Sequence, residues 1–65
     1  MSDVDAIKAE VKKLSTQAIQ AKMDLHDLSE ELPIGWESIL DVAKNCHDLY
    51  QRLTDARARL KAAGG

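Results

Sequence analysis

The sequence predicts an all-α fold, an antiparallel αα-hairpin that self-associates into a helical bundle. Apolar residues recur at steps of three and four along both halves of the chain, and the single proline interrupts this pattern near the middle. The composition agrees with a helical protein, because 45% of the residues are hydrophobic, 31% are charged and only three are glycine. With 65 residues, the chain is predicted to form one domain.

The first helix is predicted over about residues 3–31. Its apolar positions keep a heptad register without a break, which excludes the alternation typical of a strand. Ser2 can cap its N-terminus, with Asp5 placed three residues later. The apolar seam comprises Val4, Ile7, Val11, Leu14, Ala18, Ala21, Leu25, Leu28 and Leu32.

A turn is predicted over residues 32–35 and a second helix over about 36–62. Pro33 disfavours a helical backbone at the preceding residue, and Gly35 can adopt a positive φ. Because the linker is this short, the two helices must be antiparallel neighbours, about 45 Å long. Gly64 can end the second helix as a left-handed cap. The second seam comprises Ile39, Val42, Cys46, Leu49, Leu53, Ala56, Leu60 and Ala63.

The second helix is apolar beyond its seam. A flanking stripe repeats the same spacing and consists of Trp36, Leu40, Ala43, His47 and Tyr50. A helix with so wide an apolar surface usually contacts more than one neighbour, and two helices of this length bury little surface on their own. We therefore predict a homo-oligomer, either a four-helix bundle or a larger coiled coil. The sequence leaves open the number of copies and whether they dock parallel or antiparallel.

Charge is unevenly distributed although the formal total is only −2. Residues 23–43 contain six acids and no lysine or arginine, so this segment carries −6 and the remainder, with nine bases and five acids, carries +4. Four of the acids end the first helix, where the helix dipole disfavours negative charge, and this makes the tip a candidate functional surface. Alternatively, the acids are simply solvated. They are Asp24, Asp27, Glu30, Glu31, Glu37 and Asp41.

His26 lies within this acidic segment, one helical turn before Glu30. Imidazole and carboxylate groups at this spacing can hold Fe, Ni or Zn if a neighbouring chain completes the ligand shell. The motifs Glu-x-x-His, HExxH and CxxC are missing, so a solvated histidine paired with acids is the alternative. Ile19 and Met23 share the outer face and are interpreted as a contact surface for another chain. The candidate metal ligands are Asp24, His26, Asp27, Glu30 and Glu31.

Trp36 has two interpretations. The favoured one is that it closes the hairpin tip over Leu28 and Leu32. In the other, its indole is an exposed anchor for protein recognition beside the acids. The second interpretation gives a predicted protein-interaction surface of His26, Asp27, Glu30, Glu31 and Trp36.

Catalysis and nucleic-acid binding have little support, so we expect no enzyme and no nucleic-acid partner. Cys46 occupies a seam position, and the adjacent His47 cannot face it on a helix. The basic residues gather towards the chain termini without forming the extended basic face that RNA requires. A lone cysteine is typical of a reducing compartment, so a cytoplasmic location is expected, and no long uncharged apolar run predicts a membrane segment.

The chain reads Met-Asp-Leu-His-Asp-Leu at 23–28 and Leu-Pro-Ile-Gly-Trp-Glu at 32–37. These motifs resemble the small Rop-like proteins encoded among bacterial nitrogen-fixation genes. The resemblance implies an oligomeric two-helix hairpin in the cytoplasm of a diazotroph, without established enzymatic activity. It also suggests metal binding around the His-Asp-acid run, which corresponds to Asp24, His26, Asp27, Glu30 and Glu31. The resulting hypothesis is a non-catalytic accessory protein that contacts nitrogen-fixation proteins, and the alternative is a metal-binding or metal-delivery module.

Overall fold

The computed structural model describes residues 3–64, and within that range it contains two α-helices, one short 3-10 helix and no strand. Helix α1 spans Asp3–Glu31, a short 3-10 helix spans Trp36–Ser38, and helix α2 spans Ile39–Ala62. The two helices pack against each other along their length, and the single hairpin measures 48 × 14 × 12 Å. The predicted all-α hairpin is therefore confirmed. The proposed cap residue Ser2 lies outside the described residues.

The predicted apolar seams face each other between the helices. Every seam position from Val4 to Leu28 and from Ile39 to Leu60 is buried or partly buried. Leu32 and Ala63, which the register also assigned to the seams, are exposed. Leu32 lies in the turn and Ala63 lies beyond the end of α2, so the helical register no longer applies at either position.

The centre of the core is built from small side chains. Ala18 and Ala56 are fully buried, and Leu14 and Leu53 complete the cluster. Alanines at the contact let the two helix backbones approach closely. Among residues 3–64 no large side chain is fully buried, because each helix has only one neighbour. The hairpin therefore leaves much of its apolar surface only partly covered.

Two glycines shape the ends of the helices as predicted. Gly35 has φ +79° and Gly64 has φ +84°, both in the left-handed region that side chains rarely adopt. In the turn, the Ile34 N–H donates to the Glu31 carbonyl at 3.0 Å, and the Ser38 N–H donates to the Gly35 carbonyl at 2.9 Å. These bonds satisfy backbone groups that the end of α1 and the start of the next helix would otherwise leave unpaired.

Candidate functional site

The acidic tip, defined as residues 23–43, comprises the last turns of α1, the turn, the 3-10 helix and the start of α2. All six of its carboxylate residues are exposed. Within residues 3–64, none of these six forms an ion pair with a lysine or an arginine. The tip is therefore a negatively charged surface that faces solvent.

The acids differ in how the helix ends affect them. Glu37 lies in the first turn of the 3-10 helix and Asp41 in the first turn of α2, where the positive end of the dipole favours them. The last turn of α1 contains no basic residue to balance its acids. The unfavourable charges are thus concentrated on α1, on the same helix as His26.

His26 lies between two carboxylates on the outside of α1. Its Nε2 atom is 3.3 Å from Oε1 of Glu30, and its Nδ1 atom is 3.6 Å from Oδ1 of Asp27. All three side chains are more than half exposed. The Ser29 hydroxyl donates to the His26 carbonyl at 2.7 Å within the same turn. Two of the other predicted metal ligands, Asp27 and Glu30, therefore each lie within 3.6 Å of His26.

Asp24, another of the predicted ligands, makes a separate contact on α1. The Gln20 side-chain amide donates to Oδ1 of Asp24 at 2.9 Å, which directs that carboxylate back along α1. Within residues 3–64, no three His, Cys, Asp or Glu side chains lie close enough together to hold a metal ion. A metal at His26 would therefore need ligands from outside this hairpin.

Trp36 does not close the tip, which corrects the favoured interpretation of the sequence. It is 62% exposed, and Leu32, one of the residues it was expected to cover, is also exposed. Gly35 occupies the space beside Leu28 instead, since a Cβ atom at Gly35 would lie 3.1 Å from Cδ1 of Leu28. The Trp36 indole is therefore largely exposed to solvent at the tip.

Two further apolar side chains of the tip are exposed. Ile34 is 75% exposed and Leu40 is 82% exposed. Leu40 belongs to the predicted flanking stripe, but Ile34 was not identified from the sequence. Its position between Pro33 and Gly35 could have predicted this exposure, because an apolar residue inside a tight turn does not belong to the buried face of either helix.

Ile19 and Met23 are about half exposed on the outer face of α1. Helical spacing places them in line with His26 and Glu30. The outer face therefore combines apolar surface with the histidine–carboxylate group, as the sequence predicted for a contact surface.

Cys46 is partly buried in the seam. The neighbouring His47 contacts Asp48 instead, with Nδ1 3.5 Å from Oδ1. Lys44 Nζ donates to Oδ2 of Asp48 at 3.0 Å. The pKa of Asp48 is lowered, mainly by the hydrogen bond from Lys44 and secondarily by that from His47.

Among the described residues, neither helix combines the length and apolar character needed to cross a membrane.

Several bacterial proteins are similar to this chain. A UPF0437 protein of Azorhizobium caulinodans is 54% identical over 61 residues, covering 94% of this chain and 88% of that protein. A Frankia alni protein named "UPF0437 protein in nifX-nifW intergenic region" is 47% identical over 51 residues, covering 78% of this chain and 62% of that protein. A UPF0437 protein of Sinorhizobium fredii is 40% identical over 63 residues, covering 97% of this chain and 94% of that protein.

No solved structure matches the chain. A family model described as Rop-like matches residues 2–64, which is nearly the whole sequence. The match includes both helices and the turn between them. On this evidence the chain belongs to the Rop-like family.

Proposed function

We propose that this protein is a non-catalytic cytoplasmic accessory protein of nitrogen fixation. It acts by protein–protein contact in the assembly or protection of nitrogenase. The name of the Frankia alni relative, which places it in the nifX-nifW intergenic region, supports the link to nitrogen fixation. The observation that carries the mode of action is the acidic tip, whose six carboxylates are exposed and lack lysine or arginine partners within residues 3–64.

The proposed contact surface has both charge and apolar area. Its residues are His26, Asp27, Glu30, Glu31 and Trp36. Exposed like charges at one end of a rod attract a positively charged partner and orient it during encounter. An exposed indole beside them supplies the apolar area that protein interfaces use as an anchor. The partner class is therefore a nitrogen-fixation protein with a basic, partly apolar surface.

The test uses a nitrogen-fixing bacterium from which the gene for its own Rop-like protein has been deleted. The gene for this protein, as wild type or variant, is introduced into that strain. The variant His26→Ala/Glu30→Ala removes the histidine–carboxylate contact on α1. The matched control, Lys13→Ala/Gln17→Ala, alters two exposed residues one turn apart on the same helix. Growth with dinitrogen or with ammonium as the nitrogen source is compared, together with recovery of nitrogen-fixation proteins on the tagged chain.

We expect the His26→Ala/Glu30→Ala strain to grow poorly on dinitrogen and to recover less partner, while growing normally on ammonium. The control variant should match the wild type in all three measurements. Normal growth on dinitrogen with unchanged partner recovery in the His26→Ala/Glu30→Ala strain would contradict the proposal. So would normal growth on dinitrogen of a strain that lacks the gene altogether.

The second candidate function is a metal-binding or metal-delivery module. It is supported by the position of His26 between Asp27 and Glu30, at 3.6 Å and 3.3 Å. Nitrogen and carboxylate donors of this kind suit Fe²⁺, Ni²⁺ and Zn²⁺, with the remaining ligands supplied by another chain.

Titration with each of these metals, followed by NMR, tests this alternative. If the metal binds, the NMR signals of His26 and Glu30 should shift at metal concentrations below millimolar. The variant Glu30→Gln should raise the metal dissociation constant at least tenfold. Absence of shifts at His26 up to millimolar concentration for all three metals would exclude the alternative. That outcome would leave the protein-contact proposal unaffected, because its test does not involve a metal.

A further inference from the structure

We propose that the turn end of the hairpin binds a basic amphipathic helix of its partner. The apolar face of that helix covers an apolar crest, defined as Leu32, Ile34 and Trp36, and its lysines and arginines contact the acids on either side of the crest. This inference rests on the proposed function and deepens it, because it names the kind of segment that is bound and adds the turn to the contact surface.

The crest places three apolar side chains within five residues, and all three are exposed. Turn positions usually carry Gly, Pro, Asn, Asp or Ser, whose conformations or hydrogen bonds favour a turn. Ile34 has neither property, and at 75% exposure it buries little surface within the hairpin. The fold therefore does not explain an isoleucine at this position. Apolar side chains that are exposed together typically mark a binding surface.

Backbone hydrogen bonds hold the crest in a fixed shape. The Ile34 N–H donates to the Glu31 carbonyl at 3.0 Å, and the Trp36 N–H donates to the Pro33 carbonyl at 3.4 Å. Because these bonds already order the turn, little backbone freedom is lost when a partner binds. The crest is therefore organised in advance for contact.

The crest lies at the end of the hairpin, away from the helix sides. Leu32 and Ile34 belong to the turn between α1 and the 3-10 helix. Side-by-side packing of helical hairpins covers the faces of the helices, and the turns remain at the ends of the bundle. The two turn residues therefore stay accessible to another partner even when two hairpins pack along their helices.

Acids on both sides of the crest select a positively charged partner. Glu30 and Glu31 end α1 just before the crest. Glu37 follows Trp36 directly, and Asp41 lies in the first turn of α2. Within residues 3–64 none of these acids pairs with a lysine or an arginine, and residues 23–43 contain neither residue type. Basic side chains of a partner therefore meet complementary charge without a competing cation.

The bound segment is a helix because the hairpin offers no partner for an extended backbone. Residues 3–64 contain no strand, so there is no sheet edge along which an extended peptide could pair. An extended segment would also bring unpaired N–H and C=O groups against the apolar crest, and burial of such groups is costly. A helix satisfies its own backbone groups. Apolar residues at steps of three and four, with basic residues beside them, give it a surface that matches the crest and its acids.

Tryptophan fluorescence of the full chain tests the proposal, because Trp36 is the only tryptophan in the sequence. The probe is a synthetic peptide of leucine and lysine with its leucines at helical steps of three and four. One control peptide has the same composition in strict alternation, which favours a strand. A second control carries glutamate in place of every lysine.

We expect the helical leucine–lysine peptide to shift the Trp36 emission to shorter wavelength, with a micromolar dissociation constant, because it removes water from the indole. The alternating peptide should bind at least tenfold more weakly. The acidic peptide should cause no shift, since its charges repel those of the tip.

The variant Ile34→Ser removes apolar surface from the crest without changing its charge. The matched control, Ile19→Ser, makes the same change at an exposed position of α1 outside the acidic tip. Ile34→Ser should raise the peptide dissociation constant at least tenfold, and Ile19→Ser should change it less than twofold. Both residues are more than half exposed, so far-UV circular dichroism should show two intact helices in each variant.

A second pair of variants tests the charges. Glu31→Gln/Glu37→Gln removes two acids beside the crest, and Asp3→Asn/Asp55→Asn removes two acids outside the tip, so both variants have the same net charge. The first should raise the dissociation constant at least fivefold and reduce its dependence on salt. The second should leave both properties close to those of the wild type.

Four results would overturn this inference. The first is no shift with the helical leucine–lysine peptide up to millimolar concentration. The second is an equal dissociation constant for the two members of either pair of variants. The third is equally tight binding of the alternating or the acidic peptide. The fourth is a Trp36 emission that moves to longer wavelength when the protein alone is diluted, because a second copy would then already cover the crest.

The inference and the proposed function fail in different ways. If the peptide does not bind but His26→Ala/Glu30→Ala still impairs growth on dinitrogen and partner recovery, only the basic helix is wrong. If the peptide binds as expected but a strain without the gene grows normally on dinitrogen, the crest binds a basic helix and the role in nitrogen fixation is wrong.

Discussion

Arg59 and Glu10 join the two helices towards the end of the hairpin where α1 begins and α2 ends. Nη2 of Arg59 lies 2.8 Å from Oε1 of Glu10, although the residues are 49 positions apart in the chain. Both side chains remain partly exposed, so water and salt screen their attraction. The pair therefore contributes more to the alignment of α1 with α2 than to the total stability of the fold.

A double-mutant cycle of Arg59→Ala and Glu10→Ala should give a small coupling energy. We expect about 0.2–1 kcal/mol in the free energy of unfolding, because exposed ion pairs reach no more than this. Urea denaturation at one fixed protein concentration measures it, and the coupling should shrink in high salt. Arg57→Ala serves as the control on the same turn of α2. A coupling energy of several kcal/mol would show that the pair is far less solvated than its exposure indicates.

The helices were predictable because the heptad pattern continues without a break up to the proline. Residues 3–31 were expected to be helical, and α1 spans Asp3–Glu31. The seams were predictable for the same reason, since periodicity alone decides which side chains face the other helix. The register ceases to apply beyond the helices, which is why Leu32 and Ala63 are exposed.

The position of Trp36 could not be predicted from periodicity. An aromatic residue at the start of a helix fits either a closed tip or an exposed flank, and the turn decides between them. Here the left-handed Gly35 packs beside Leu28 and the indole remains outside. Ion pairs between residues far apart in the chain cannot be predicted from periodicity either. Helical spacing predicts that Arg59 pairs with Asp55, whereas it reaches across to Glu10.

Gly35→Ala should destabilise the hairpin. A side chain at φ +79° costs about 1–2 kcal/mol, and its Cβ atom would also lie 3.1 Å from Cδ1 of Leu28. We therefore expect the free energy of unfolding to fall by about 1–2 kcal/mol or slightly more. Thermal and urea denaturation of the wild type and the variant at equal concentration provide the measurement.

Gly64→Ala is the matched control for this substitution. Gly64 has a similar φ of +84°, but a Cβ atom there would have no neighbour within 4 Å. It also follows the last turn of α2, where local fraying can relieve the strain. The loss of stability should be clearly smaller than at Gly35. Equal losses would mean that contact with Leu28 and position in the turn contribute nothing.

Ala56→Leu should separate the two helices at the centre of the core. Ala56 is fully buried in the cluster that contains Ala18, so a larger side chain has no space unless the backbones move apart. Overpacking of this kind costs about 1–3 kcal/mol in the free energy of unfolding. Ala58→Leu, at an exposed position two residues later, should change it by less than about 0.5 kcal/mol. A stabilising effect of Ala56→Leu would indicate that the alanine contact is not the closest approach of the helices.

The acid sensitivity of α2 should depend on Asp48. Its pKa is lowered in the folded chain, chiefly by the hydrogen bond from Lys44 and then by that from His47. A lowered carboxyl pKa stabilises the fold at a pH above the unfolded value of about 3.9, and that contribution is lost as the pH falls through the folded value. Asp48→Asn should therefore reduce stability at neutral pH and have less effect in acid. NMR titration of the Asp48 carboxyl carbon should show its pKa rising more in Lys44→Ala than in His47→Ala. The reverse order would assign the lowered pKa to the histidine contact at 3.5 Å instead of the lysine contact at 3.0 Å.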